Sequence, residues 1–461
     1  MNYRAETNRP DPEEILGRTQ SLCPVCLAKI PAEKVRIGDN IYLRKSCSDH
    51  GHFQTVIWRG KPDYMDWYKE KRPEPPRACL TEMDKGCPFD CGLCPDHHQQ
   101  VCCAQFEVTQ RCNLKCPVCF ADAGKAQDKD PTIEELLEQM QLIWDTTGPC
   151  NIQLSGGEPT VRDDLPDIIK AARSLGYTFF QLNTNGIRLA EDPQYVKALK
   201  EAGLSTVFMQ FDGTRDDIYK HTRGKGLLDI KQKAIENCGQ HQLGVVLVPT
   251  LIPGVNTDNI GDIVRYALQG MPTIRGVHFQ PISYFGRYPS LPKDEDRITL
   301  PEVLRALEDQ TEGLLKTENF APSDCEDATC SFHGDFIYLE DGKLTPVTQK
   351  QNTCCSPNGL QEESVRRAQN FVSKRWQIQV KSDCSCAEQN GNRIDALDRV
   401  LDRIRNYRIS ITCMTFQDVE NIDLERLKYC CVPVVDKGKA IPFCAYNLSD
   451  REGHSLYRGR Y

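Results

Sequence analysis

Read as a pattern of apolar and polar positions, the chain changes rhythm twice. From residue 104 onward, short apolar runs alternate with stretches of helical periodicity. The runs are AQFEVT, NIQLS, TFFQLN, TVFMQF, GVVLVP and VHFQP; between them the pattern predicts helices from Thr132, after Asp163, after Pro193, after Gly226 and after Asp258. Short apolar runs bounded by turn signals read as buried strands, and the stretches between them are long enough for helices. Strands alternating with helices pair in parallel through right-handed crossovers. The expected fold class is α/β, a partial (β/α)6 TIM-like barrel, whose ligands gather at the carboxyl ends of the strands.

On either side of this core the rhythm is lost and cysteine takes over. Residues 1–70 hold two short cysteine knuckles around a hairpin, and KRPEPPR, Lys71 to Arg77, reads as a stiff spacer. The expected organisation is a metal-binding domain over 1–70, a linker with a cluster motif over 71–103, the core over 104–320 and a second cysteine-rich domain over 321–461. Small metal-binding domains thus flank the barrel at both ends. The chain has 24 cysteines in 461 residues. Its opening MNYRAETNRPDPEE lacks an apolar stretch, so the thiols are expected in the cytoplasm, bound to metal and not paired as disulfides. The richest apolar run, Leu243 to Ile252, is short and broken by Pro249, which leaves at most peripheral membrane contact. A net charge of -8 disfavours nucleic acid as a partner.

The chemistry concentrates in FEVTQRCNLKCPVCF, where Cys112, Cys116 and Cys119 follow the first predicted strand. A loop with this spacing can wrap one [4Fe-4S] cluster with three thiolates, leaving one iron free to chelate S-adenosylmethionine (SAM) and reduce it. After the second strand comes Ser155-Gly156-Gly157-Glu158-Pro159, whose glycines permit close backbone approach. Later strand ends carry Asn183, Asn185, Gln210, Asp212 and Gln280, with Tyr284, Phe285 and Arg287 at the last one.

Three further groups read as metal sites. Cys23 and Cys26, followed by Cys47 and His50, have the spacing of a closed tetrahedral centre for one zinc or iron ion, with His52 a surface residue. Cys87, Cys91 and Cys94 repeat the spacing of the central triplet without a strand feeding them, which suits an auxiliary [4Fe-4S] cluster completed by Cys79, His97, Cys102 or Cys103. Near the end, Cys430 and Cys444 flank a predicted hairpin at Asp436 to Gly438, with Cys413 and Cys330 as candidate completers. In each adjacent cysteine pair, such as Cys354 and Cys355, at least one member is expected to be a buried small apolar residue.

Over residues 104–285 the triplet and GGEP segment resemble the radical SAM superfamily. The resemblance implies that Gly156, Gly157, Glu158 and Pro159 receive the SAM amino group, and that the strand-end residues contact ribose, methionine carboxylate or substrate. Members usually have an aromatic residue before the third cysteine; here it is Val118, which shifts the expected adenine contact towards Phe120. Taken with GCPFDCGLCP, GVVLVPTLIPGVN, GVHFQPIS and a tail of MTFQD, DLERLKYC and IPFCAYN, the chain is similar to the tetraether lipid synthase and class D methyltransferase-like family. That likeness implies several clusters, a ferredoxin- or flavodoxin-type electron donor, and carbon-carbon bond formation between lipid chains. Methylation of a pterin is the alternative, and a purely electron-transferring multi-cluster protein the remote one.

Overall fold

The computed structural model describes residues 12–124, 129–323, 325–348, 362–378, 401 and 403–459. Cys354, Cys355, Cys384 and Cys386 lie outside the described residues. An antiparallel meander opens the chain: β1 (Glu13–Leu22), β2 (Lys29–Ile37), β3 (Asn40–Cys47) and β4 (Gly51–Arg59). Side chains alternate along β3, so Ile41, Leu43, Lys45 and Cys47 are all buried. A lysine on that inner face needs partners, and Lys45 Nζ donates to Ser21 Oγ (3.2 Å) and to the Val419 carbonyl (2.6 Å). With the Lys34–Asp423 ion pair at 2.7 Å, this docks the meander onto the far end of the chain.

The barrel strands are β5 (Cys103–Thr109), β6 (Asn151–Gly156), β7 (Phe180–Thr184), β8 (Thr206–Gln210), β9 (Gly244–Val248), the short β10 (Thr250–Leu251) and β11 (Ile274–Pro281). Neighbours β5 to β9, then β11, pair in parallel as the sequence pattern predicts. The helix Ile133–Thr147 shows why the alternation is reliable. Thr132 and Glu135 close a capping box at its start, Gly148 in a positive-φ conformation ends it, and Leu136, Met140 and Ile143 fall on one buried face. Each such side chain contributes about 1.5–3 kcal/mol by leaving water. The core lies between these helices and residues such as Phe106, Leu154, Leu182, Val207, Leu247 and Val277.

The sheet does not stop at six barrel strands. β12 (Ala321–Pro322), β13 (Ser331–Tyr338), β14 (Leu344–Pro346) and β15 (Arg408–Met414) lie beyond β11, and the hairpin β16 (Pro433–Asp436) and β17 (Lys439–Pro442) lies beyond β5. β15 runs parallel to β11, with Val277 opposite Ile411, and β16 runs parallel to β5, with Val434 opposite Gln105. An open barrel leaves two strand edges with unpaired N–H and C=O groups, and the carboxy-terminal segment covers both. The hairpin turns at Lys437 and Gly438, both with positive φ, as a tight two-residue turn requires. Behind the helix Glu362–Arg375, Trp376 sits at the amino-terminal end of the barrel, where its Nε1 donates to Ser410 Oγ (2.8 Å). At Gly244, the first residue of β9, a Cβ would come within 2.3 Å of the Trp376 carbonyl, so only glycine fits.

Candidate active site and metal centres

The triplet loop follows the carboxyl end of β5 and is tied to the opposite edge of the barrel. Cys119 and Arg287 exchange backbone hydrogen bonds of 2.9 Å each way, while Arg287 Nε donates to the Cys116 carbonyl (2.9 Å) and Nη1 to Asp122 (3.0 Å). Arg287, which the sequence leaves open between binding and packing, is thus a brace for the cysteine loop. Burial, with the nearby charges of Glu158, Cys116 and Cys119, pushes the Cys112 thiol up to about 11. A Cys112 thiol held protonated in this way fits a site meant for a cationic centre, which reverses the penalty.

The GGEP segment packs directly on that loop. Gly157 N donates to the Thr109 carbonyl and Glu158 N to that of Arg111, each at 2.8 Å. A Cβ on Gly156 would lie 2.1 Å from Thr109 O, and one on Gly157 2.2 Å from Arg111 O. The glycines therefore serve close packing of two loops of this chain. Glu158 is buried, and its carboxylate accepts from Thr160 N (3.1 Å), Thr160 Oγ1 (2.6 Å), Thr184 Oγ1 (2.7 Å) and Asn185 N (2.7 Å). Asn185 Nδ2 reaches back to Asn113 Oδ1 (2.7 Å), closing a ring of contacts between the cysteine loop, the GGEP turn and the end of β7. Pro159 opens a short 3-10 turn.

One cavity of ≈ 330 Å³ brings most of the expected residues together: Cys112, Cys116, Cys119, Val118, Phe120, Gly156, Gly157, Glu158, Asn183, Asn185, Gln210 and Gln280. Pro159 and Asp212 are outside its lining. Asp212 is the more informative of the two. It is fully buried outside the cavity lining, and it grips Arg223 through bonds of 2.6 and 2.9 Å. Burial works against the Asp212 carboxylate, but the Arg223 charge and hydrogen bonds outweigh it and hold the carboxyl below its ordinary value. Arg223, which lines the cavity, and the buried Lys231, whose Nζ donates to Gln210 Oε1 (2.8 Å), are cations that reading strand ends alone missed. Both come from helices or turns one element further on. Burial brings the Lys231 ammonium down to about 7.

The remaining cysteines sort into groups only partly foreseen. The ligand atoms of Cys23, Cys26, Cys47 and His50 lie within 4.8 Å of one another, with His50 Nδ1 3.6 Å from Cys23 Sγ and 3.4 Å from Cys47 Sγ. The Asp49 N–H and the His50 ring bring the Cys47 thiol down to about 7. His52 pairs with Ser46 Oγ (2.7 Å) at the surface. Cys87, Cys91 and Cys94 are buried, and the thiol charges that reach Cys91 come from Cys87, Cys94 and Cys430. Cys430 thus lies near this triplet, and near Cys444 as well. Cys79 is exposed, His97 is engaged with the Cys430 carbonyl (3.0 Å), and Cys103 lines the barrel cavity.

A group absent from the sequence reading joins Cys102, Cys325 and Cys431, all within 4.8 Å, with Cys102 and Cys431 sulfurs 3.1 Å apart. Cys431 belongs to this group, while its neighbour Cys430 stands near the Cys91 and Cys444 thiols. Cys413, by contrast, lies on β15 within the main core, where burial alone raises its pKa, and it joins no thiol group among the described residues. Cys330 accepts from Arg426 Nε (2.9 Å), and that buried guanidinium also feels the Cys444 thiol, so Cys330 and Cys444 are linked through a cation.

Residues 106–267 match the family described as "Radical SAM superfamily", and residues 15–59 match the "HMPTM N-terminal zinc ribbon domain". The chain belongs to the radical SAM superfamily; it is an enzyme whose cofactors are a [4Fe-4S] cluster and SAM, and its other cysteine groups fit auxiliary clusters or a metal ion. Among its relatives, the 7,8-dihydro-6-hydroxymethylpterin dimethyltransferase of Methanocaldococcus jannaschii is 37% identical over 94% of both chains. The Fe-coproporphyrin III synthase of Methanosarcina barkeri is 31% identical over 52% of this chain and 59% of its own. The GTP 3',8-cyclase of Limosilactobacillus fermentum is 30% identical over 39% of this chain and 54% of its own. No helix among the described residues is long and apolar enough to cross a membrane.

Proposed function

We propose that this radical SAM enzyme methylates a pterin-type heterocycle held inside its barrel. The observation that carries the reading is that a single cavity is lined at one end by the cysteine triplet and GGEP segment and at the other by Gln105, Asn151, Gln153, Gln181 and Asn183. Bound at the triplet, a [4Fe-4S] cluster and SAM supply a 5'-deoxyadenosyl radical. The chain's own part is to hold the loops that carry the thiols, through Arg287 and Glu158, and to hold the substrate below them. Arg223, fixed by Asp212, places a positive charge on the cavity wall at the carboxyl ends of the strands, where the methionine carboxylate of SAM would lie. The low-potential electron donor is of the ferredoxin or flavodoxin type.

Coupling of lipid chains is the reading this arrangement favours less. A hydrocarbon against those amides would leave Gln105 Nε2 buried without a partner, at about 1–3 kcal/mol. The full-length likeness to a pterin dimethyltransferase points the same way. In the proposed organisation residues 104–320 form the core, 1–70 and 71–103 precede it, and 321–461 supply both sheet edges along with further thiols.

The test is anaerobic incubation of iron-loaded protein with SAM, a strong reductant and either 7,8-dihydro-6-hydroxymethylpterin or an archaeal-type lipid extract. Mass spectrometry should show 5'-deoxyadenosine together with pterins heavier by one or two methylene units. A lipid lighter by two hydrogens, with the pterin unchanged, would reverse the assignment.

A further inference from the structure

The interior of the barrel has two different walls. Strand register sets Gln105 of β5 opposite Gln153 of β6, and Gln153 opposite Gln181 of β7, so three glutamines form one row across adjacent strands. Asn183 Oδ1 above them accepts from Gln153 Nε2 (2.9 Å) and Gln181 Nε2 (3.3 Å). Across the cavity the lining is aromatic. Phe208 and Trp376 stack with ring centroids 5.5 Å apart and planes 29° from parallel, and the His278 ring stands 5.1 Å from Phe208. Burial brings the His278 imidazolium down to about 4, so at neutral pH this wall carries no charge.

Two cavity-lining glutamines have an Nε2 without a partner among the described residues, Gln210 at the end of β8, on the SAM side, and Gln105 deeper in the barrel. Gln105 is only 2% exposed. Buried amide donors are almost always paired, so one aimed into a cavity marks a place where a ligand acceptor belongs. Gln105 stands four residues before the end of β5, or about 13 Å of strand below the cysteine loop, which separates this row from the end of the barrel where SAM is expected.

We propose that Gln105 is a specificity-determining residue: its Nε2 donates to a ring carbonyl or ring nitrogen on the edge of a flat heterocyclic substrate, whose face lies against Phe208 and Trp376. This rests on the heterocycle reading given above and names the groups that would carry it out. The neighbouring amides, already tied to one another, hold the Gln105 row in place. The arrangement selects against ligands that are flat but lack an edge acceptor, and against ligands with an acceptor but no aromatic face.

The experiment measures binding of 7,8-dihydro-6-hydroxymethylpterin to the cluster-loaded enzyme in the presence of SAM, by quenching of tryptophan fluorescence and by KM. It is repeated with Gln105→Met, which keeps length and removes the donor, and with Gln105→Glu, which turns the donor into an acceptor. An analogue series replaces the ring carbonyl with hydrogen or with an amino group. Gln105→Met should weaken binding of the carbonyl compound about tenfold or more, with a larger effect on KM than on kcat, and should lose the preference over the carbonyl-free analogue. Gln105→Glu should shift preference towards the amino analogue. Equal binding of the pterin by wild type and a fully loaded Gln105→Met overturns the role of Gln105 and leaves the pterin reading standing. Failure of the SAM-cleaving wild type to bind any pteridine overturns the pterin reading and this inference together. Should the variants not load iron, the analogue series on wild type decides: equal affinity for carbonyl and carbonyl-free compounds overturns the proposal.

Discussion

The amino-terminal ribbon and the Cys102, Cys325 and Cys431 group gather ligand atoms to the same closeness, within 4.8 Å, but they are built in opposite ways. The ribbon's four ligands sit in two turns of a meander only 27 residues apart, Cys23 to His50. Cys102 and Cys431 are separated by 329 residues and meet only because β16 closes the edge of the sheet beside β5. A site of the first kind follows from local hairpin geometry; one of the second kind exists only once the whole sheet has closed. Losing a ligand should therefore be a local event in the ribbon and a global one in the assembled group.

The largest effect is reserved for the reactive site. Replacing Cys112, Cys116 and Cys119 together with Ala should abolish formation of 5'-deoxyadenosine, while iron in the other groups and the far-ultraviolet circular dichroism stay near wild-type values. The loop is held from outside its thiols by Arg287, Asn185 and the GGEP turn, so it belongs with the local sites despite its place at the centre. Loss of all iron on this substitution would put it with the assembled ones.

Next in size is Cys431→Ala. Removing a fully buried thiol from a group that joins β5, the segment after β12 and the β16 hairpin should cost on the order of 4 kcal/mol of stability, since loss of a metal or crosslink is among the few single changes that reach such values. The check is a denaturant melt of the anaerobically loaded protein beside Cys413→Ala, which removes a core thiol bound to no other group. If the two variants melt alike, the Cys102, Cys325 and Cys431 group is packing and not a site.

The same division explains what was legible in the sequence. Six strands and their helices were readable because each is a short apolar run with its own cap or breaker, as with Thr132, Glu135 and Gly148 around one helix. The ribbon ligands were readable from spacing alone. The hairpin of β16 was readable at Asp436 to Gly438, but the sheet edges that it and β15 join were not, because single short runs, RISITCM and PVVD, carry no period long enough to show them. Of the completers named for Cys430 and Cys444, Cys330 stands with Cys444 beside Arg426, while Cys413 stays in the main core. Asp212 was read as a ligand contact because it ends a strand; its burial behind Arg223 depends on the next helix. The amide row was invisible, since alternate glutamines on three strands become one wall only when the register is known.

The seam between barrel and carboxy-terminal segment gives a pH-dependent prediction. His278 on β11 pairs through Nδ1 with Thr412 Oγ1 on β15 (2.8 Å), and its burial depresses the folded pKa to about 4 from an ordinary value near 6.5. Between these values the unfolded chain binds the proton and the folded chain does not, so stability is complete above about 6.5 and falls as pH drops towards 4. The loss amounts to roughly 3 kcal/mol at the lower end. Unfolding midpoints of wild type should decline over this window more steeply than those of His278→Phe. Parallel slopes would mean that the imidazole is not what makes the seam acid-sensitive.

The smallest effect should come from the ribbon. Cys26 is exposed. The meander is locked to the rest of the molecule away from the metal: by Lys45 on the Val419 carbonyl, by Lys34 on Asp423, by Ser21 Oγ on the Ile422 carbonyl (2.5 Å) and by Val56 N on Asp294 (2.9 Å). Cys26→Ser should release the ribbon's metal to a chelator and raise amide exchange in the two knuckles, yet leave the rate of SAM cleavage within about twofold, less than roughly 0.5 kcal/mol in barrier. A tenfold fall in SAM cleavage with the other iron retained would show that the ribbon metal acts on the barrel through those contacts. The difference between a self-contained site and an assembled one would then lie in docking as well as in how far apart the ligands stand in the chain.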